Sequence, residues 1–158
     1  LYLSWKLKTM NYTARFIELA SEINTSMPLY VLEKVMNALN DDARALRGSR
    51  IVVMGVAYKR DIDDVRESPA LDIISLLMHK GATVSYHDPY VESVRLEEDE
   101  IMHSSPYSDA LLADADAVVI VTDHSSFDYD HIVNTAKLVV DTRNAVNGRG
   151  GRARIVSI

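Results

Sequence analysis

Cysteine is absent from all 158 residues, which excludes disulfides, thiolate-bound metal and a thiol nucleophile within this stretch of chain. Basic residues are also short: 17 Lys and Arg face 23 Asp and Glu, a formal net charge of -6. That balance excludes a surface that grips many nucleic-acid phosphates, because such binding needs a basic face. No apolar run approaches the roughly 20 residues needed to span a bilayer. The opening Leu1 to Met10 lacks the order of a signal peptide. The expectation is a cytoplasmic protein with no membrane or nucleic-acid partner. A first residue other than Met, followed at once by an amphipathic stretch, suggests a piece of a longer protein.

What is present is alternation. Apolar residues recur at helical spacing over 13–40, as Phe16, Ile17, Leu19, Ala20 and Ile23, then as Val31, Leu32, Val35, Met36 and Leu39. Between the two stripes, Asn24 to Pro28 fits either a kink or a break with Ser26 or Met27 as N-cap and Pro28 in the next first turn. The run Arg50 to Tyr58 reads as a strand covered on both faces. Ser68-Pro69 opens a helix through His79, with Gly81 just past its end. Strands at 82–87, 116–122 and 137–141 alternate with helices at 108–113 and 129–135, and a last strand is expected at 154–158. The fold class is therefore α/β, a Rossmann-like open parallel sheet with helices on both faces, preceded by one kinked or two consecutive helices.

In such sheets ligands bind beyond the carboxyl ends of the strands. After the first strand come Tyr58, Lys59, Arg60 and Asp61, then Arg66 and Ser68; after the strand at 137–141 comes Arg143. Cations from two loops on one edge of an acidic protein suggest an anion site, and a diphosphate suits both arginine forks and helix N-termini. The plainer alternative pairs Arg66 and Arg143 with neighbouring Asp63, Asp64, Glu67 and Asp141. Charge pattern alone leaves both open. Gly55 is followed by no second or third glycine, so the dinucleotide fingerprint G-x-G-x-x-G is missing and an NAD site of the usual kind is not expected here. Asp88-Pro89 reads as a turn in preference to a ribose-binding acid. His103, His124 and His131 lack ligand spacing and read as structural, so no metal is expected. No nucleophile elbow surrounds Ser125-Ser126.

The run Gly55-Val56-Ala57-Tyr58-Lys59-Arg60-Asp61-Ile62-Asp63-Asp64-Val65-Arg66-Glu67-Ser68-Pro69 resembles the signature G-x-A-[FY]-K-x-x-[TVI]-x-D-x-R-E-S-P of the UDP-glucose/GDP-mannose dehydrogenase family. The resemblance continues through His87 to Tyr90, Asp114 to Thr122 and Val139 to Asn144. It implies that Tyr58, Lys59 and Arg143 contact a UDP-sugar and that Arg66 reaches NAD carried mainly by a preceding domain. The family oxidises the sugar C6 alcohol twice, by hydride transfers to NAD through a thiohemiacetal and a thioester on a cysteine. Leu1 to Ser4 resembles the segment just after that cysteine's motif, so the chain alone is expected to be inactive. By the same resemblance, residues 1–46 are the end of a central helical region that forms a homodimer, and 47–158 are the nucleotide-sugar-binding domain of an enzyme of polysaccharide precursor synthesis. Phe16 to Ala20, Ile23-Asn24 and Met27 to Val31 are similar to the branch acting on UDP-N-acetylhexosamines, with UDP-glucose the other candidate. Ile62, where many members keep Thr, departs from the pattern. The competing expectation is a stand-alone, non-catalytic α/β nucleotide-binding or interaction module.

Overall fold

Ile51, Val52, Val53 and Met54 are all buried, and their side chains alternate between two cores as the two-residue period of a strand requires. In the computed structural model, which describes residues 2–158 with side chains from 15 onward, this strand is β1 (Arg50–Met54). The expectation resting on Leu1 to Ser4 lies outside the described side chains. β2 (Thr83–His87), β5 (Ala117–Ile120), β6 (Leu138–Asp141) and β7 (Arg154–Ser157) join β1 in one parallel sheet of order β2-β1-β5-β6-β7. β5 and β6 are buried at every residue, which explains their continuous apolar sequence.

Two helical layers cover the sheet. On one face, α1 (Tyr2–Asp41) contributes Val31, Leu32, Val35 and Leu39, and α2 (Pro69–His79) contributes Ile73, Ile74 and Leu77, against Ile51, Val53, Val119 and Val140. On the other, Leu112 of α3 (Asp109–Ala113) and Ile132 and Val133 of α4 (Tyr129–Thr135) pack on Val52, Met54, Val118, Ile120 and Val139. Each such side chain, fully buried, contributes about 1.5–3 kcal/mol of transfer free energy. Ser68, Ser108 and Asp128 accept hydrogen bonds from the first turns of α2, α3 and α4.

The two-helix alternative does not hold. α1 is one helix of 40 residues with Pro28 inside it. Ser26 is no N-cap, since its hydroxyl donates to the Ile23 carbonyl, and Thr25 likewise donates to Ser21. A helix-interior proline costs about 3 kcal/mol or more. Here Pro28 is itself buried at the point where the helix meets the domain, and the packing of Val31, Val35 and Leu39 just beyond it opposes that cost. The helix thus has a part attached to the domain from Pro28 onward and, over residues 15–26, a part that stands clear, on which Phe16 is 68%, Ile17 61% and Ile23 52% exposed.

One element had no counterpart in the sequence reading. β3 (Ser93–Arg95) and β4 (Ile101–His103) form an antiparallel hairpin between β2 and α3. Among the described residues no helix is long and apolar enough to cross a membrane.

Candidate functional site at the carboxyl edge of the sheet

Three loops meet beyond the carboxyl ends of β1, β5 and β6. The β1 loop begins at Gly55, whose φ of +82° and position against Thr122 leave no room for a Cβ. Its next two backbone N–H groups, of Val56 and Ala57, both donate to Oδ2 of Asp88, at 2.8 and 3.2 Å. The Asp88 side chain is wholly buried and also accepts from the Tyr90 N–H, at 2.9 Å, and from His124 Nε2, at 2.8 Å. The expected turn role of Asp88 is therefore only part of its work. Burial pushes the Asp88 carboxyl up, yet the hydrogen bonds from His124, Val56 and Tyr90 outweigh this and hold it below the ordinary value of 3.8.

His124, fully buried, extends the clamp. Its Nδ1 accepts from the Asp61 N–H at 2.9 Å, so the proton sits on Nε2 and is donated to Asp88. It is a satisfied structural histidine, as its sequence setting suggested. The Asp61 carboxylate is in turn held by the Ser125 hydroxyl and N–H, which lower its pKa. The loop is tied to the β2 and β5 ends at both Gly55 and Asp61, and Tyr58 to Arg60 are displayed between the ties.

Tyr58 is 46% exposed, and the Lys59 ammonium lies 5.3 Å from the centre of its ring. Lys59 makes no ion pair among the described residues. Arg60 and Arg143, from different loops, converge on one carboxylate, Asp123. Arg60 donates to its Oδ2, and Arg143 Nε lies 3.5 Å from its Oδ1. The Asp123 side chain is 9% exposed, and the two guanidinium-bearing side chains are 58% and 52% exposed. That bond raises the Arg60 pKa above its ordinary value.

The plainer pairing thus holds for Arg66, with Asp64, and not for Arg143, whose partner is Asp123 and not Asp141. Arg66 forms a two-pronged pair with Asp64, at 3.0 and 2.8 Å, on a side chain 88% exposed, and this bond lowers the Asp64 carboxyl to about 2. Arg143 does not pair with Asp141. Asp141 is fully buried and accepts from the backbone N–H groups of Arg143 and Val146, which shapes the turn that carries Arg143 outward. Sequence reasoning missed Asp123 and the clamping role of Asp88. The signal for Asp123 was available: Thr122-Asp123-His124 directly follows an apolar strand, the same position that singled out Tyr58 and Arg143.

The geometry also tests a dinucleotide at this loop. The amides that would cradle a pyrophosphate after β1 are taken by the chain's own Asp88, so NAD does not fit there. Among the described residues no three His, Asp or Glu side chains are grouped to hold a metal. A cavity of about 500 Å³ lies elsewhere, beside Arg50, Ser85, Ser105 and Leu111. It lines the open face of edge strand β2 and lacks the convergent cations of the carboxyl edge.

Residues 52–148 match the profile of the UDP-glucose/GDP-mannose dehydrogenase family, UDP binding domain. The chain belongs to this family. It is 32% identical over 148 residues to a UDP-N-acetyl-D-mannosamine dehydrogenase of Methanococcus maripaludis, an alignment covering 89% of this chain and 33% of the relative. It is 36% identical over 137 residues to a UDP-glucose 6-dehydrogenase of Rhizobium meliloti, covering 82% and 30%. Among solved structures it resembles the UDP-D-ManNAc dehydrogenase of Pyrococcus horikoshii, with a TM-score of 0.75, 28% identity and coverage of 90% and 33%. The UDP-N-acetyl-mannosamine dehydrogenase of Staphylococcus aureus matches with a TM-score of 0.65, 33% identity and coverage of 86% and 31%. The chain spans about a third of the length of these relatives. Within the family's UDP binding domain, the loops carrying Tyr58, Lys59 and Arg143 are the ones that Asp88, Asp123 and Asp141 hold in place.

Proposed function

We propose that this chain is the nucleotide-sugar-binding part of an NAD-dependent UDP-sugar 6-dehydrogenase, which oxidises the sugar C6 alcohol to a carboxylate for polysaccharide precursor synthesis. Lys59 and Arg143 bind the diphosphate and Tyr58 packs against the nucleotide sugar. The observation that carries this reading is the convergence of cations from the β1 and β6 loops on one edge of a sheet in an otherwise acidic chain. Resemblance to UDP-N-acetyl-D-mannosamine dehydrogenases favours a UDP-N-acetylhexosamine over UDP-glucose. NAD and the oxidising thiol belong to other parts of the enzyme, and Arg66, turned outward with Asp64, faces that NAD. The exposed apolar part of α1 meets a second copy in a homodimer.

Titration calorimetry with UDP tests the site. Charge-assisted hydrogen bonds are worth about 1.5–3 kcal/mol, so Lys59→Ala and Arg143→Ala each weaken binding roughly tenfold or more. Unchanged affinity in both variants, with their folds intact by circular dichroism, would sink the assignment.

A further inference from the structure

Arg60 is adjacent to Lys59 but has no assigned part in the proposed site. Its guanidinium is drawn to the same carboxylate as that of Arg143, across 83 residues of sequence. Asp123 is more than nine-tenths buried, and its Oδ1 accepts no hydrogen bond among the described residues. A buried carboxylate oxygen with incomplete bonding is costly unless compensated. Here the compensation is charge: one carboxylate between two guanidinium groups leaves one net positive charge on the pair. Arg143 sits 3.5 Å from Oδ1, held by attraction and free to turn its fork outward. Asp61, the other nearby carboxylate, is occupied by Ser125. Asp61 keeps its negative charge in those bonds, so with Lys59 the edge presents three cations beside the two carboxylates of Asp123 and Asp61, one net positive charge available to the diphosphate bridge of a nucleoside diphosphate sugar.

We propose that Asp123 is a positioning residue that holds Arg60 and Arg143 side by side, and that Arg60 is a further diphosphate-binding residue. The inference rests on the reading of this edge as a nucleoside-diphosphate site. It makes a counter-intuitive demand. If Asp123 were merely a negative charge beside an anion site, neutralising it would tighten anion binding by removing repulsion. If it positions the arginines, neutralising it weakens binding.

Calorimetric titration of UDP and UMP into the chain and its variants distinguishes the two. Arg60→Ala is expected to weaken UDP about tenfold and UMP by less, because UMP lacks the second phosphate. Asp123→Asn, close to isosteric, is expected to weaken UDP by a similar factor, and the double variant to be little worse than Asp123→Asn alone, since the two act as a unit. Equal or tighter UDP binding by a folded Asp123→Asn protein overturns the positioning role. Unchanged UDP affinity in Arg60→Ala, whose side chain is mostly exposed and whose loss leaves the fold intact, overturns the binding role even where Asp123→Asn unfolds. If Lys59→Ala and Arg143→Ala weaken UDP while Arg60→Ala does not, only this inference fails. If none of the four single variants changes the affinity, or the unmodified chain takes up no UDP, the site reading fails with it.

Discussion

The β1 loop has two halves that differ in how they are held. Gly55 to Asp61 is pinned from below by Asp88, which takes the Val56 and Ala57 amides, and by His124, which takes the Asp61 amide. From Ile62 to Glu67 the ties are local, namely the Tyr58 N–H to the Asp64 carbonyl and the Arg66 pair with Asp64 in solvent. Residues that sit side by side in one family signature thus have different physical tasks. The inner half is built to present side chains at a fixed place. The outer half can exchange its surface ion pair for another partner at little cost, because exposed pairs contribute little.

Asp88→Ala breaks the inner clamp most severely. It strips a buried carboxylate from His124 and two loop amides, and each buried donor left unsatisfied typically costs about 1–3 kcal/mol. A large fall in denaturant midpoint is expected; a shift comparable to that of a surface substitution would show that the clamp does not hold the loop.

Binding separates the halves next. Lys59→Ala, in the inner half, is expected to lose UDP affinity roughly tenfold or more, whereas Arg66→Ala, in the outer half, leaves UDP affinity nearly unchanged. Loss of UDP affinity in Arg66→Ala equal to that in Lys59→Ala would erase the distinction.

Acid should act on the inner half through Asp88. Its folded pKa lies below 3.8, so its contribution is fully present above that value and is lost as pH falls through the lower folded pKa. The melting temperature of the unmodified chain is therefore expected to fall more steeply below about pH 4 than that of Asp88→Ala. Parallel pH profiles would contradict the linkage.

The smallest effect belongs to the outer pair. In Arg66→Ala the Asp64 carboxyl rises from about 2 towards its ordinary 3.8, a change followed by its side-chain carbon resonance, with almost no change in melting temperature. An Asp64 titration that does not move would mean that the pair is absent in solution.

The strands were legible because β1, β5 and β6 are covered on both faces and so are apolar throughout, and α2 announced itself by Ser68-Pro69 and Gly81. The β3–β4 hairpin was not, because each strand has three residues and only Val94 and Leu96 are buried within an acidic stretch. The continuity of α1 through Pro28 depends on packing against α2, which no local propensity records. At the site, Arg143 was legible from its place after a strand. The place of Asp123 after a strand was equally legible, but its role, like that of Asp88, was not: the partners that define them lie 20–63 and 31–36 residues away in sequence, and a carboxylate followed by proline reads locally as a turn. Both apolar stripes of α1 lie in residues 1–46, and the sequence did not distinguish them, although Val35 of the second is fully buried in its own domain while Ile17 of the first stands exposed.

On this reading the carboxyl edge, and not the cavity of about 500 Å³ beside β2, takes the nucleotide. A crystal structure of the chain with UDP tests it most directly. The diphosphate is expected within hydrogen-bonding distance of Lys59 and Arg143, with the Val56 and Ala57 amides still on Asp88. UDP seated beside Arg50 and Ser85, with the carboxyl edge unengaged, would contradict it.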